Sequence, residues 1–209
     1  MTSPELTLDH RFYEGDPAEP VLLLLHGTGG GPDDLRGLAE QLKPRAAVLA
    51  PAGPVHELGA ARWFRRLAES VFDTDDVIAR MNQLADFVIA ARQHYGLAER
   101  RLVAVGFSNG ANIAAALVLG RPDALREAIL FAAMMPLPDP PTFNLQSSRV
   151  FLSNGDHDPM APADSTARLV QALRNRSAGI TTFRHPGGHE ITRAGLDAAM
   201  RWLNQTGSE

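Results

Sequence analysis

"VGFSNGANIAAAL", Val105 to Leu117, places a lone serine between two glycines where an apolar run gives way to an alanine-rich one. Neither a strand nor a helix gains from glycine, so the two glycines point to a demanding turn between them. In a strand–Gly-x-Ser-x-Gly–helix turn the serine takes a strained conformation at the top of a sheet. Side chains two residues to either side of it would collide, and Gly106 and Gly110 remove that collision. Ala111, Ala114, Ala115 and Ala116 let the following helix pack closely on the sheet, and its N-terminus turns a positive dipole end toward Ser108. The competing reading is a glycine-rich turn with an incidental serine. Partners elsewhere in the chain decide between the two.

Outward from this turn, short apolar runs alternate with helical patterns. Val21–His26 ("VLLLLH") reads as a buried strand, Asp33–Leu42 as an amphipathic stretch, and Ala46–Ala50 as a second strand cut off by Pro51. Val77, Ile78, Met81, Leu84, Ala85, Val88 and Ile89 recur at helical spacing, predicting a helix over Asp75–Tyr95 that Gly96 terminates. Arg101–Phe107 is the strand into the serine and Asn109–Leu119 the helix after it. Ala128–Met135, Arg149–Ser153 and Ile180–His185 read as further strands, Ala163–Arg174 and Ile191–Asn204 as helices. An edge strand near Leu6–Tyr13 completes the pattern. Continuous apolar strands separated by helices predict an α/β fold, a doubly wound, mostly parallel sheet flanked by helices, with ligands at the carboxyl ends of the strands. Pro136, Pro138, Pro140 and Pro141 keep Met134–Ser148 irregular and too short for a cap domain.

The chain's 209 residues fit one domain, since single cores grow to roughly 250 residues before splitting. A formal net charge of −4 gives no electrostatic case for nucleic acid or an anionic membrane. "VLLLL" and "AILFAAMM" fall well short of the ~20 apolar residues that a bilayer needs. The start, "MTSPELTLDH", lacks the basic and apolar parts of a signal peptide, so a cytoplasmic location is expected. With no cysteine there is no disulfide framework, thiolate metal site or cysteine nucleophile.

A serine hydroxyl needs a base, and the base needs an orienting acid, which in a fold with this turn follow in the order Ser, Asp or Glu, His. "FLSNGDHDP" ends one predicted strand and offers Asp156 and Asp158; "FRHPGGHEIT" ends the next and offers His185 and His189. His189 follows two glycines on a loop at the correct sheet edge, whereas His185 belongs to the strand and points into packing. Asp158 lies further into its loop, held by Pro159, and is favoured as the acid, with Asp156 capping the turn. A metal reading of Asp156, His157 and Asp158 fails because three adjacent residues cannot all face one ion, so no metal and no cofactor is expected. "HGTGGGPDD", His26–Asp34, supplies unhindered amides after the first strong strand. The oxyanion donors expected are the amide of Thr28, or else Gly29, and the amide of Asn109. A phosphate loop would end in Lys-Ser/Thr, which this one does not. "RWFRR", Arg62–Arg66, reads two ways: Trp63 or Phe64 touching substrate with arginines that attract an acidic ligand, or arginines paired with Glu69, Asp73, Asp75 and Asp76 on a solvated face.

With the glycine loop, the serine turn, the late Asp and the final His in order, the chain resembles the α/β-hydrolase superfamily. More narrowly it is similar to the phospholipase/carboxylesterase group, which also contains acyl-protein thioesterases. The resemblance runs from Val21 to Leu203 and is carried by "LLHGTGG", "RWFRRLAESVFD", "GFSNGANIA", "NGDHDPMAP" and "GGHEIT". It implies an α/β-hydrolase fold without a cap domain, Ser108 as nucleophile, Asp158 as acid, His189 as base, and Thr28 and Asn109 as oxyanion donors. The chain departs from the thioesterases at Asn109, where they carry glutamine, and at "RWFRR", where an aromatic pair precedes Asp. The expected function is a serine carboxylesterase on small esters, with a thioesterase or lysophospholipase-type hydrolase as runner-up and a non-catalytic binder behind. The expected cleft is shallow, walled by Trp63, Phe64, Met134 and Met160. A homodimer is the oligomeric state the resemblance suggests.

Overall fold

The computed structural model describes residues 6–68 and 71–205. In chain order the elements are β1 (His10–Tyr13), β2 (Val21–Leu25), α1 (Arg36–Leu42), β3 (Ala47–Pro51), β4 (Val55–Glu57), β5 (Ala60–Arg62), β6 (Arg66–Ala68), β7 (Val71–Phe72) and α2 (Thr74–His94). There follow β8 (Leu102–Phe107), α3 (Asn109–Gly120), β9 (Glu127–Phe131), β10 (Arg149–Gly155), α4 (Ala163–Arg174), β11 (Gly179–His185) and α5 (Arg193–Asn204).

Strand alternation builds two cores at once. Val21, Leu23 and Leu25 of β2 face one layer, with residues of α2, α3 and α4. Leu22 and Leu24 face the other, with Ala39 and Leu42 of α1 and Leu196, Ala199, Trp202 and Leu203 of α5. A strand buried on both faces must be apolar at every position, which is why "VLLLL" shows no alternation. Seven strands form the sheet in the order β1-β3-β2-β8-β9-β10-β11. All neighbours are parallel except β1 against β3. From β2 the chain moves outward to β3, then crosses back to β8 on the other side of β2. The switch point therefore lies between β2 and β8, paired Leu25 to Gly106, where a doubly wound sheet opens a crevice at its carboxyl edge. Among the described residues, no helix is long and apolar enough to cross a membrane.

Three expected boundaries move by more than two residues. The amphipathic stretch from Asp33 becomes helix only at Arg36, because Gly31–Leu35 is spent on turns. The strand expected to reach Met135 stops at Phe131, where Ala132 takes φ 55° and donates its amide to Ser153 O at 2.8 Å. The edge strand is confined to His10–Tyr13. The larger surprise is the connection between β3 and α2, which folds into two small antiparallel ribbons, β4–β5 and β6–β7. The first turns through Leu58 at φ 51° and Gly59 at φ 80°, two consecutive left-handed residues that suit a tight hairpin.

Candidate active site

Ser108 sits between β8 and α3 at φ 54° and ψ −118°, a strained region for a residue with a Cβ. Steric crowding explains both glycines. A Cβ on Gly110 would lie 1.9 Å from Leu25 O, and one on Gly106 would lie 2.6 Å from Gly110 O. Ser108 is the N-cap of α3 yet makes no side-chain cap bond, which leaves its hydroxyl for other work. That hydroxyl lies 2.8 Å from His189 Nε2.

His189 follows the turn after β11, and its Nδ1 lies 2.8 Å from Asp158 Oδ2. With Nδ1–H donating to Asp158, Nε2 carries the lone pair that accepts a hydrogen bond from the Ser108 hydroxyl. Asp158 is fixed in turn: its Oδ1 accepts from Met160 N at 2.8 Å and Ala161 N at 3.1 Å, and its side chain is fully buried. Asp156 lies elsewhere, its carboxylate ion-paired with Arg184 at the surface. His185 is buried in the packing, as its place in the strand predicts, and His157 Nδ1 contacts Pro186 O at 2.8 Å.

The glycine loop after β2 is anchored by His26. His26 Nδ1 donates to Gly27 O at 2.7 Å, and Nε2 accepts from Gly53 N at 2.9 Å, which fixes a neutral tautomer. Burial pushes the His26 imidazole below its ordinary value, partly opposed by the bond to Gly27 O and the charge of Asp34. Of the two amides that sequence left open, Gly29 N is committed to Ala61 O at 2.8 Å. The amides of Thr28 and Asn109 have no hydrogen-bond partner among the described residues, and both residues line the cavity over Ser108.

That cavity is small, about 40 Å³, and is lined by Thr28, Arg62, Arg66, Phe72, Ser108, Asn109, Asn112, Ala132, Met134 and Met160. Met134 and Met160, two of the expected cleft walls, line this cavity. Trp63 and Phe64 do not: they are 1% and 0% exposed and belong to the core. The correction has a physical reason. Trp63 Nε1 donates to His26 O at 2.9 Å while Trp63 N donates to Asn109 Oδ1 at 2.7 Å, so the indole is a strut between the glycine loop and the serine turn. The charged neighbours divide. Arg65 pairs with Asp73 and Asp76 on the helix side, as the solvated-face alternative requires, while Arg62 and Arg66 face the cavity. Glu69, the other acid in that alternative, lies outside the described residues. Phe72, Asn112 and Ala132 were not anticipated; nothing in the local pattern marks them.

The model of a family described as phospholipase/carboxylesterase matches residues 13–206. The chain belongs to that family. Members of this hydrolase family are recognisable in solved structures as well. The crystal structure of the Bacillus cereus carboxylesterase superposes with a TM-score of 0.91 at 39% identity, covering 95% of this chain and 94% of that one. The Mesorhizobium loti carboxylesterase superposes at 0.89 with 28% identity, covering 95% of each. A Bacillus subtilis (strain 168) protein named "Putative hydrolase MhqD" is 37% identical over 194 residues, 93% of this chain and 97% of its own length.

Proposed function

We propose that this family member hydrolyses small carboxylic esters through Ser108, His189 and Asp158. The observation that carries the reading is the continuous hydrogen-bonded relay, Ser108 Oγ to His189 Nε2 and His189 Nδ1 to Asp158 Oδ2, each 2.8 Å, at the crevice of the sheet. Ser108 Oγ attacks the ester carbonyl and passes its proton to His189 Nε2. Asp158 stabilises the imidazolium, and the uncommitted amides of Thr28 and Asn109 receive the oxyanion. Collapse expels the alcohol, which takes the proton from His189, and leaves the acyl group on Ser108. Water then attacks with His189 as base; the acid departs and Ser108 regains its proton.

The inner cavity beside Ser108 is small, about 40 Å³, which favours a short acyl group. Activity on straight-chain 4-nitrophenyl esters is therefore expected to peak at short chains, and a fluorophosphonate probe to label wild type at Ser108 but not Ser108→Ala. Absence of both turnover and labelling would overturn the reading. A thioesterase acting on longer chains is the second reading, favoured by an outer groove of about 690 Å³ that includes Leu58, Ala60, Leu67 and Ala68. Efficiency that rises out to long acyl chains would put it first.

A further inference from the structure

Arg62 and Arg66, which line the cavity with Ser108, are placed differently from Arg65 between them. Arg62 is 4% exposed, yet its fixed contacts involve only Nε, which lies 3.2 Å from Glu57 Oε2 and donates to Phe64 O at 3.3 Å. Its two terminal amino groups hydrogen-bond to none of the described residues, although a guanidinium carries five donors in a rigid fork. Arg66 is exposed and has no ion pair or hydrogen bond among the described residues. Both line the inner cavity with Ser108, Thr28 and Asn109, and both continue into the outer groove. Burial, and after it the charge of Arg66, disfavour the Arg62 cation, with Glu57 opposing. Of the acids nearby, Asp73 and Asp76 are engaged by Arg65, and Asp76 also by Arg80. Among the described residues, Glu57 is thus the one carboxylate paired with either of these two cations. An incoming anion would satisfy the idle donors and relieve the repulsion between them.

We infer that Arg62 and Arg66 form an anion subsite, and that the preferred substrate is an ester whose acyl part carries a carboxylate, a half-ester of a short dicarboxylic acid. The inference rests on the esterase reading above. The cavity shared by Ser108 and the two arginines is small, so the carboxylate lies close behind the scissile carbonyl. Arg62, held rigid by Glu57 and Phe64 O, offers a preorganised fork; Arg66 adds a screened charge at the rim.

Hydrolysis of ethyl hydrogen succinate, diethyl succinate and ethyl pentanoate by wild-type enzyme, followed by pH-stat, tests this. The anionic ester should exceed both neutral ones in kcat/KM, and its advantage should shrink as sodium chloride is added. Arg66→Ala should lower the anionic-to-neutral ratio on the order of fivefold, and Arg66→Glu should push it below one. Arg62→Gln should lower it on the order of fiftyfold; since that variant leaves Glu57 without its cation, its melting temperature is measured alongside, and Arg66→Glu keeps the test decisive if it unfolds. Succinate should raise the melting temperature of wild type more than that of Arg66→Glu. An enzyme that turns over the neutral esters with no preference for the anionic one, or whose rates on all three fall together in both Arg66 variants, overturns the subsite and leaves the esterase reading intact. An enzyme that hydrolyses none of the three and resists the fluorophosphonate overturns both.

Discussion

The serine turn and the two ribbons border the same cavity, but they are held in opposite ways. Every residue of α3 is buried, and Gly110 is pressed so closely on Leu25 O that no side chain fits. The ribbons are two to three residues per strand, and Leu58, Leu67 and Val71 stand in solvent at 104%, 72% and 50% exposure. Between the two ribbons the chain dips into the core once, at Trp63 and Phe64. On the proposed reading, the relay is therefore carried by a close-packed backbone, and the arginines of the cavity by a scaffold tied down at one seam. Substitutions in the first region should cost chemistry and folding, those in the ribbon tips neither.

The sharpest break in that contrast comes from the relay. Ser108→Ala and His189→Ala should each lower kcat on the order of 10⁴-fold, and the double variant should be barely worse, because the residues act as a unit. Asp158→Asn should be nearly as severe, whereas Asp156→Asn, which only breaks a surface pair with Arg184, should stay within a few-fold of wild type. Steady-state kinetics on one chromogenic ester separates them; the reverse order of the two aspartates would reassign the acid. Gly110→Ala comes next: a methyl group 1.9 Å from Leu25 O must displace β2 or α3, at a cost of at least about 3 kcal/mol in urea unfolding, or no folded protein.

The seam sharpens the contrast further. Trp63→Phe keeps an aromatic ring but leaves His26 O without its donor, which should cost about 2 kcal/mol and lower kcat more than it raises KM. His26 adds a pH signature. Its imidazole is depressed below 6.5 by burial, so only the unfolded chain takes up that proton as pH drops through the region just below 6.5. The associated stability is full above pH 6.5 and is lost on acidification until the folded-state value is passed. In His26→Gln the urea midpoint should fall less steeply with acid than in wild type; identical slopes would remove His26 as a source. Leu58→Ser and Leu67→Ser should move stability by no more than about 0.5 kcal/mol, since both residues are already solvated.

Much of the fold was legible because its strands obey strict demands. A sheet covered on both faces forces runs such as "VLLLL", and the turn at Ser108 forces glycine at positions 106 and 110, so both leave marks that can be read without coordinates. The placement of Asp158 and His189 at the ends of adjacent parallel strands follows from the same periodicity. The ribbons left no such mark. Strands of two or three residues are too short to show alternation, and the first hairpin turns through Leu58-Gly59 where Asn-Gly would have announced it. Reading "RWFRR" as a wall of aromatic residues failed for a related reason: the segment dips inward at Trp63 and Phe64 and surfaces at Arg65, a depth profile that only the strut to His26 and Asn109 explains.

That strut has a spectroscopic consequence. The chain has two tryptophans, and the sheet separates them: Trp63 belongs to the core shared with α2 and α3, Trp202 to the core shared with α1. Trp202 lies under the guanidinium of Arg149, 4.8 Å from its ring centroid, and does not line the cavity at Ser108. Trp63 lies with its ring centroid 5.1 Å from that of His26 and its indole N–H on the carbonyl at the root of the glycine loop. A Trp202→Phe variant would leave a single emitter wired to the root of the glycine loop that carries Thr28. Its emission reads strain or a charge arriving at the cleft, and protonation of His26 beside it, with no label attached.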